Sequence, residues 1–291
     1  MTLGWTQDAR DRYVVVSVTT RCNLSCSGCF RVGRGLTDMP LPLFERVLDT
    51  LRMLGCQYLN ITGGEPTLHP QWREYIRLTR TAGLAPMLST NATLFDSLSD
   101  PILHQLAVLS LPLDAASPAT NDRMRCPGHY ARVAALVREY LLGEAPFILK
   151  VNTIVAAENM AEIPGILDIV NDSRVVWKLF QFSPRGDFSS SGWLSPVSSG
   201  QFGDLLARLL ESPLRRCRIA SLASDSVANY IIVDPQGAVL VPDRQSFKHL
   251  GHLLALETIQ HLRSFPRAGD ISPLDEVLGR HVEGTGGDPH P

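Results

Sequence analysis

The sequence has no long apolar run and no signal for export. No stretch of its 291 residues approaches the roughly 20 consecutive apolar residues of a membrane-spanning helix. The first residues, Met1 to Arg12, are polar and lack the apolar centre of a secretory signal peptide. Because six cysteines without such a signal are typical of a reducing compartment, we expect a cytoplasmic protein that does not contact a membrane.

The sequence also has no large net charge of either sign, and it has few lysines. The net charge of −2 gives no electrostatic basis for binding long nucleic acid. Among 27 basic residues only three are lysines, namely Lys150, Lys178 and Lys248. Since arginine fills almost every other basic position, the place of each remaining lysine is informative.

Three cysteines lie close together near the N-terminus. Cys22, Cys26 and Cys29 have C-x3-C-x2-C spacing and follow a β-branched run, Val14–Thr20. Three thiolates on one loop can bind three irons of an iron–sulfur cube and leave the fourth iron open. A structural zinc site would need a fourth ligand, which this loop lacks, and a disulfide would leave one cysteine over. Three buried structural cysteines are the remaining alternative.

Strand and helix patterns alternate over the first 180 residues or so. The predicted strands are Val14–Thr19, Tyr58–Thr62, Pro86–Ser89, Val108–Leu113, Phe147–Val155 and Val175–Phe182. The predicted helices between them are Pro42–Leu54, Pro70–Thr81, Leu98–Leu106, Tyr130–Leu142 and Ile163–Val170. This alternation predicts an α/β fold with a parallel sheet, helices outside it and functional residues at the carboxyl ends of the strands.

The pattern changes beyond Ser183. We predict a barrel domain over residues 1–183 and a C-terminal extension over 184–291 that closes the active site. Ser, Pro and Gly dominate the start of the extension, and Asp234–Gly237 is a strong hairpin signal. The extension is predicted to contain a loop at Ser183–Gly200, helices at Phe202–Leu210, Leu253–Ser264 and Pro273–Leu278, hairpin strands at Tyr230–Val233 and Ala238–Val241, and a disordered end at Gly284–Pro291.

Further motifs follow the second, third and fourth strands. They are Gly63-Gly64-Glu65-Pro66, then Ser89-Thr-Asn91, and then a loop that ends in Arg125. Together with the cysteine spacing they resemble the radical S-adenosylmethionine (radical SAM) family. Taken singly, a Gly-Gly turn or a loop arginine would be unremarkable.

The resemblance implies a partial (β/α)6 barrel, a [4Fe-4S] cluster on the three cysteines and S-adenosylmethionine on the open iron. One electron, from a donor such as flavodoxin or ferredoxin, would cleave S-adenosylmethionine to a 5′-deoxyadenosyl radical. Gly63, Gly64, Glu65 and Pro66 would bind the methionine amino group. Contacts with the ribose, the methionine and its carboxylate would come from Ser89, Asn91 and Arg125.

The chain departs from the family pattern near these positions, including Pro112, where a polar residue is common two residues before the aspartate of the fourth strand. The family has an aromatic residue immediately before the third cysteine, near the adenine, where this chain has Gly28. Phe30 is the predicted substitute. The family's glycine after the Ser-Thr-Asn motif is Ala92 here. No second C-x-x-C group exists downstream, which argues against the auxiliary clusters of many peptide-modifying relatives.

Two lysines lie on predicted strands. Lys150 and Asn152 share one face of the fifth strand, and Lys178 lies on the sixth. Lysines inside a barrel are costly unless anions pair with them, and phosphate is a natural partner. A lysine at a strand end that reaches back to solvent is the alternative.

The segments around these lysines resemble those of the viperin family. That resemblance implies phosphate contacts by Lys150, Lys178 and Lys248, and a proton or hydrogen source at Tyr230. Arg185, after the sixth strand, is a further candidate for phosphate binding. The chain departs from the family where Val16, Val176 and Arg34 replace its asparagine, arginine and lysine.

The sequence therefore predicts an enzyme that abstracts a sugar hydrogen from a nucleotide with one to three phosphates. Dehydration or rearrangement would follow and give a modified nucleotide of the antiviral or antibiotic type. Two alternatives stay open. One is a radical SAM enzyme that modifies a peptide or another small natural-product precursor, and the other is a non-catalytic iron–sulfur or zinc protein.

Overall fold

The strands of this protein form one continuous sheet. The computed structural model describes residues 13–29, 35–184, 193–224, 231–242 and 247–264. Within these ranges, ten strands lie in the order β10-β9-β8-β1-β2-β3-β4-β5-β6-β7. Their bounds are β1 Tyr13–Thr19, β2 Tyr58–Gly63, β3 Ala85–Ser89, β4 Val108–Pro112, β5 Ile148–Val155, β6 Val175–Gln181, β7 Arg218–Leu222, β8 Ile231–Val233, β9 Ala238–Pro242 and β10 Phe247–His252.

Helices lie between most of the successive parallel strands, and the last helix follows β10. They are α1 Leu41–Met53, α2 Trp72–Thr81, α3 Pro118–Met124, α4 His129–Leu142, α5 Leu167–Val170, α6 Ser199–Glu211 and α7 Leu256–Ser264. Short 3-10 helices cover Pro66–Leu68, Pro101–Gln105 and Met160–Ile166. No helix in the described ranges combines the length and the apolar character needed to cross a membrane.

The parallel part of the sheet confirms the predicted fold. Strands β1 to β6 pair in chain order and all in parallel. A seventh parallel strand, β7, extends the sheet beyond β6 and was not predicted. At the other edge β8 pairs in parallel with β1, and β9 and β10 follow in antiparallel. The extension thus contributes strands to both edges of the same sheet.

The predicted hairpin is present between β8 and β9. Ile232 pairs with Leu240 across it. The side chain of Asp234 accepts a hydrogen bond from the backbone N–H of Ala238 at 2.8 Å, and Gly237 takes the left-handed conformation with φ +85°. This is the turn chemistry that the Asp-Pro-Gln-Gly segment predicts.

Two predicted helices differ in kind. The segment predicted as a helix over Leu98–Leu106 is a 3-10 helix, Pro101–Gln105, capped by the side chain of Asp100. The segment Ile163–Val170 is divided between the 3-10 helix Met160–Ile166 and α5, because Pro164 cannot donate a helical hydrogen bond. Helix α3 was not predicted. Ser117 begins it by accepting a hydrogen bond from the backbone of Thr120.

The two faces of the sheet have opposite character. On the outer face, apolar strand residues such as Val16, Ile61 and Trp177 are fully buried against the helices. On the opposite face of β4 to β7, which we call the inner face, lie Ser110, Lys150, Asn152, Val176, Lys178 and Arg218. Because the inner face carries polar groups and the outer face is apolar, we expect ligands to bind on the inner face of the sheet rather than between the sheet and the helices.

Candidate active site

Residues 37 and 38 contact the residues that begin the cysteine loop. The N–H of Thr20 donates to the carbonyl oxygen of Thr37 at 2.8 Å. The Asp38 carboxylate forms an ion pair with Arg21 at 2.9 Å and accepts from the Thr19 hydroxyl at 2.6 Å. These backbone and side-chain contacts therefore join the two ends of the loop between β1 and α1.

The three cysteines of this loop form no disulfide and are half-buried. The N–H of Leu24 donates to Sγ of Cys22 at 3.4 Å, and Arg125 forms a hydrogen bond with Cys26. Burial raises the pKa of the Cys26 thiol, and the Arg125 guanidinium opposes that rise. Donors aimed at sulfur favour the thiolate, which is the form that binds iron.

The end of β2 lies directly against the cysteine loop. The N–H of Gly64 donates to the carbonyl oxygen of Thr19 at 2.9 Å, and the N–H of Glu65 donates to that of Arg21 at 2.7 Å. A Cβ at Gly63 would lie 2.2 Å from the Thr19 oxygen, and a Cβ at Gly64 would lie 2.1 Å from the Arg21 oxygen. Only glycine fits at either position.

The Glu65 carboxylate joins the second motif to the third. It is completely buried and accepts four hydrogen bonds, from the N–H and hydroxyl of Thr67, the Thr90 hydroxyl and the N–H of Asn91. Burial raises the pKa of this carboxyl, and the hydrogen bonds oppose that rise. Pro66 is buried and begins the 3-10 helix behind it. The carboxylate thus fixes these two motifs in place, and its contact with the methionine amino group stays a prediction.

The third motif reaches the first cysteine. The side-chain N–H of Asn91 donates to Oδ1 of Asn23 at 2.9 Å and lies 3.9 Å from Sγ of Cys22. The hydroxyl of Ser89 donates instead to Oδ1 of Asn60 on the neighbouring strand, at 3.0 Å. Asn91 is therefore at the cysteine loop, whereas Ser89 belongs to the sheet just below it.

Arg125 is held between a carboxylate and the cysteine loop. Its Nε donates to Oδ2 of Asp114 at 2.5 Å, and the Asp114 side chain is fully buried. The other oxygen of Asp114 accepts from the N–H of Ile154 at 2.8 Å. This pair orients the guanidinium beside Cys26, where the predicted contact with the methionine carboxylate could be made.

His129 connects the loop of Arg125 with the third motif. Its Nδ1 lies 3.1 Å from Nδ2 of Asn121, and its Nε2 lies 3.1 Å from the carbonyl oxygen of Asn91. Burial, with the positive charge of Arg125, lowers the pKa of His129 to about 4. The neutral ring can then donate through Nε2 and accept at Nδ1. Sequence reasoning missed both His129 and Asp114, since their role depends on contacts between different loops.

The structure brings Lys150, Asn152 and Lys178 together on the inner face. Asn152 pairs in register with Lys178 on the neighbouring strand, and Lys150 lies two residues before Asn152. Both lysines are almost fully buried, at 5% and 6% exposure. The alternative of strand-end lysines that reach solvent therefore does not describe either residue.

The chain after β6 packs on the cysteine loop. A Cβ at Gly28 would lie 3.0 Å from Cδ1 of Leu194 and 3.2 Å from the ring of Phe182. The indole N–H of Trp193 donates to the hydroxyl of Ser27 at 2.7 Å, and the guanidinium of Arg123 lies 4.1 Å from the Trp193 ring. Apolar side chains of this later segment therefore fill the space beside Gly28.

One further predicted site residue lies on an edge strand, and three lie outside the described residues. Lys248 lies on β10, at the opposite edge of the strand order from β5 and β6, and it is exposed. Phe30, Arg185 and Tyr230 lie outside the described residues. Their predicted contacts stay predictions.

Comparison with known proteins gives the family. The model of the radical SAM superfamily matches residues 16–168, which include the cysteine loop and the motifs after β2 and β3. The chain belongs to the radical SAM superfamily. Radical SAM enzymes use a [4Fe-4S] cluster and S-adenosylmethionine, so these are its cofactors.

Its curated relatives within the superfamily have different activities. The S-adenosylmethionine-dependent nucleotide dehydratase of Flammeovirga pacifica is 27% identical over 80% of this chain and 83% of its own. The dehydratase of Selenomonas ruminantium is 25% identical over 83% of this chain and 90% of its own. The AdoMet-dependent heme synthase of Methanosarcina barkeri is 30% identical over 64% of this chain, but this chain spans only 55% of its length.

Solved structures confirm the fold. Streptococcus suis SuiB, bound to precursor peptide SuiA, superposes with a TM-score of 0.70 over 92% of this chain and 71% of that one. The tagged protein anSMEcpe with bound AdoMet has a TM-score of 0.64 over 85% of this chain and 79% of that one. Sequence identities of 15% and 14% limit these similarities to the fold.

The residues of the cysteine loop fit the cluster better than a single metal ion. Within the described residues, no three Cys, His, Asp or Glu side chains are placed to hold one metal ion together. A cube instead offers a separate iron to each thiolate. Cys22, Cys26 and Cys29 would hold it, with Asn91 and Arg125 beside two of the sulfurs.

Proposed function

We propose that this radical SAM enzyme abstracts a hydrogen from the sugar of a nucleotide and leads to its dehydration or rearrangement. The product would be a modified nucleotide of the antiviral or antibiotic type. The observation that carries the proposal is the inner face, where Lys150 and Lys178 are buried on adjacent strands, and Phe182, just after the second of these strands, lies beside Gly28 of the cysteine loop. Two dehydratase relatives that align over most of the chain support it.

Buried lysines on one face favour an anionic substrate. A positive charge attracts an anion more strongly in a low-dielectric site than in water, so a site with two buried ammonium groups favours a partner with negative charge. Phosphate accepts several charge-assisted hydrogen bonds at once. Asn152, between the two lysines in register, adds a neutral group that can bind a phosphate or a sugar hydroxyl.

The cluster and S-adenosylmethionine supply a 5′-deoxyadenosyl radical when they are bound, after one electron from a donor such as flavodoxin or ferredoxin. The chain's own residues orient the reactants and exclude water. Arg125 and Asn91 stand beside the cysteines, and the inner-face lysines hold the phosphate end of the substrate below them. Leu194 and Trp193 contact the cysteine loop at Gly28 and Ser27. Tyr230, Arg185 and Lys248 are proposed as additional substrate contacts.

An anaerobic assay of the reconstituted enzyme tests this proposal. 5′-Deoxyadenosine is measured in the presence of ribonucleotides and deoxyribonucleotides, the corresponding nucleosides, and a set of unrelated peptides. We expect at least one nucleotide to raise the rate well above the substrate-free rate and to be converted to a product that has lost water or been rearranged. Stimulation by peptides alone, or by nucleosides as strongly as by nucleotides, would overturn the proposal.

A further inference from the structure

The strand register places a further cation beside the two lysines. Ser110 on β4 pairs with Lys150 on β5, Lys150 pairs with Val176 on β6, and Val176 pairs with Arg218 on β7. Residues paired across a parallel sheet point to the same face. Arg218 therefore belongs to the inner face, in the same row as Lys150.

Arg218 stands next to the position where a cation was expected and is missing. The sequence has Val176 two residues before Lys178, where the viperin-like pattern has an arginine. Val176 is fully buried, and its neighbour across the sheet is Arg218. The positive charge absent from position 176 is thus present one strand further along, about 4.8 Å away at the backbone.

Three cations then form a triangle on three adjacent strands. Lys178 pairs with Ala220, which lies two residues after Arg218, so Lys178 is offset along the strands from both Arg218 and Lys150. Lys150 and Arg218 are two strands apart, or about 10 Å at the backbone. Long flexible side chains at these three corners can surround a chain of phosphates from both sides.

The surroundings of this triangle suit an anion. Strands β4, β5, β6 and β7 contain no aspartate or glutamate. The Ser110 hydroxyl on the inner face is buried and lacks a hydrogen-bond partner within the described chain, and so does Oδ1 of Asn152, an acceptor that suits a sugar hydroxyl rather than a phosphate. Buried polar atoms of this kind are typically satisfied by a ligand or by ordered water. Ser110, at 2% exposure, can donate to a phosphate oxygen beside Lys150.

The inner face also defines a direction for the substrate. The cysteine loop follows the carboxyl end of β1. Nearer the amino ends of the strands, the inner face carries an apolar cluster of Tyr13, Tyr58, Met87, Val108 and Ile148. Lys150 and Arg218 lie in the row between these two ends. A nucleotide bound with its phosphates in this row would extend its sugar toward the cluster.

We infer that Arg218 is a substrate-binding residue that contacts the phosphate groups of the nucleotide together with Lys150 and Lys178. This inference rests on the proposed function. Each further phosphate adds negative charge, so the contact of Arg218 should contribute most to the binding of a nucleotide with several phosphates.

Binding measurements on the reconstituted enzyme, under anaerobic conditions and with S-adenosylmethionine present, test the inference. The probes are ATP, GTP, CTP and UTP, each with its monophosphate and its nucleoside. We expect Arg218→Gln to weaken the preferred triphosphate by about tenfold to a hundredfold, as for the loss of one charged contact, and to leave the nucleoside unchanged. Arg218→Lys keeps the charge and should lose less.

A matched control and a rescue distinguish phosphate binding from a structural role. Arg216 precedes the same strand but is exposed, and Arg216→Gln should bind every probe like the wild type. Introducing Val176→Arg into the Arg218→Gln chain returns the cation to β6 and should restore part of the triphosphate affinity. A purely structural role of Arg218 predicts no such rescue.

The results that would contradict the inference differ from those that would contradict the proposed function. If the wild type binds a nucleotide but Arg218→Gln binds it equally well, the inference is wrong and the proposed function stands. If the wild type binds no nucleotide at all, both are wrong.

Discussion

At the scale of single residues, the site depends on backbone positions that exclude a side chain. A Cβ at Gly64 would lie 2.1 Å from the carbonyl oxygen of Arg21, at the start of the cysteine loop. The backbone is also constrained at Ala92, which has a left-handed conformation with φ +64° at the position where the family has glycine. The motif spacing predicted which loops meet, but it could not show that the Gly63-Gly64 pair is needed to seat the cysteine loop.

Replacing Gly64 by alanine should displace the cysteine loop, because the added Cβ would collide with backbone that cannot move independently. We expect Gly64→Ala to lose most of its iron and sulfide after reconstitution, as measured by chemical analysis and by the cluster absorbance. Gly203→Ala is the control, since nothing lies within 4 Å of a Cβ at this helical position and alanine favours helix. Equal cluster content in both variants would contradict the structural role of Gly64.

His129 should make stability depend on pH. Its pKa is lowered from 6.5 to about 4, so between these values the unfolded chain binds a proton that the folded chain does not. Stability therefore falls as the pH is lowered from about 6.5 to about 4, by up to about 3 kcal/mol from this residue. Urea unfolding at several pH values should show a smaller loss in His129→Gln than in the wild type. Parallel pH dependence in the two proteins would show that His129 is not buried as a neutral ring.

The buried lysines should act on substrate rather than on S-adenosylmethionine. Because each supplies one charged contact to phosphate, Lys150→Ala and Lys178→Ala should each weaken nucleotide binding by roughly 1.5–3 kcal/mol, or about tenfold to a hundredfold. Binding of S-adenosylmethionine, measured separately, should stay at the wild-type value. Exposed Arg80→Ala provides a control for the loss of one positive charge. Unchanged nucleotide affinity in both lysine variants would refute their assignment.

At the scale of elements, the carboxyl ends of parallel strands bring the motifs together. The apolar runs of β1 to β6 and the motifs that follow them were predictable, since both can be seen in a local stretch of sequence. Strand β7 was not, because its segment Arg218–Leu222 has little β-branched character and its pairing with β6 decides its structure. Arg218 was therefore missed as an inner-face residue, although its charge was visible.

The segment after β6 should protect the cysteine loop. Trp193 donates to Ser27 in that loop and stacks on Arg123, so Trp193→Ala removes two contacts that hold the segment in place. We expect its cluster absorbance to fade faster in air than that of the wild type. Trp193→Phe keeps an aromatic ring over Arg123 and should be intermediate. Identical fading of all three proteins would mean that this segment does not limit oxygen access.

At the scale of the whole molecule, one sheet unites the predicted barrel with its extension. Strands β7 to β10 lie in the C-terminal part of the chain, yet they pair with both edges of the parallel strands β1 to β6. The sequence predicted the hairpin of β8 and β9 from its turn, but not its docking beside β1, because pairing between distant segments leaves no local pattern. The partner of each edge strand therefore became known only from the structure.

The transfer of a sugar hydrogen tests the central proposal most directly. The reconstituted enzyme is incubated with S-adenosylmethionine and the stimulating nucleotide, which is fully deuterated on its sugar carbons. The deuterium content of the 5′-deoxyadenosine is then measured by mass spectrometry. We predict that it gains deuterium from the nucleotide and that Lys150→Ala, at the same nucleotide concentration, forms less of the labelled product. Stimulated formation of 5′-deoxyadenosine that carries no deuterium would contradict hydrogen abstraction from the sugar.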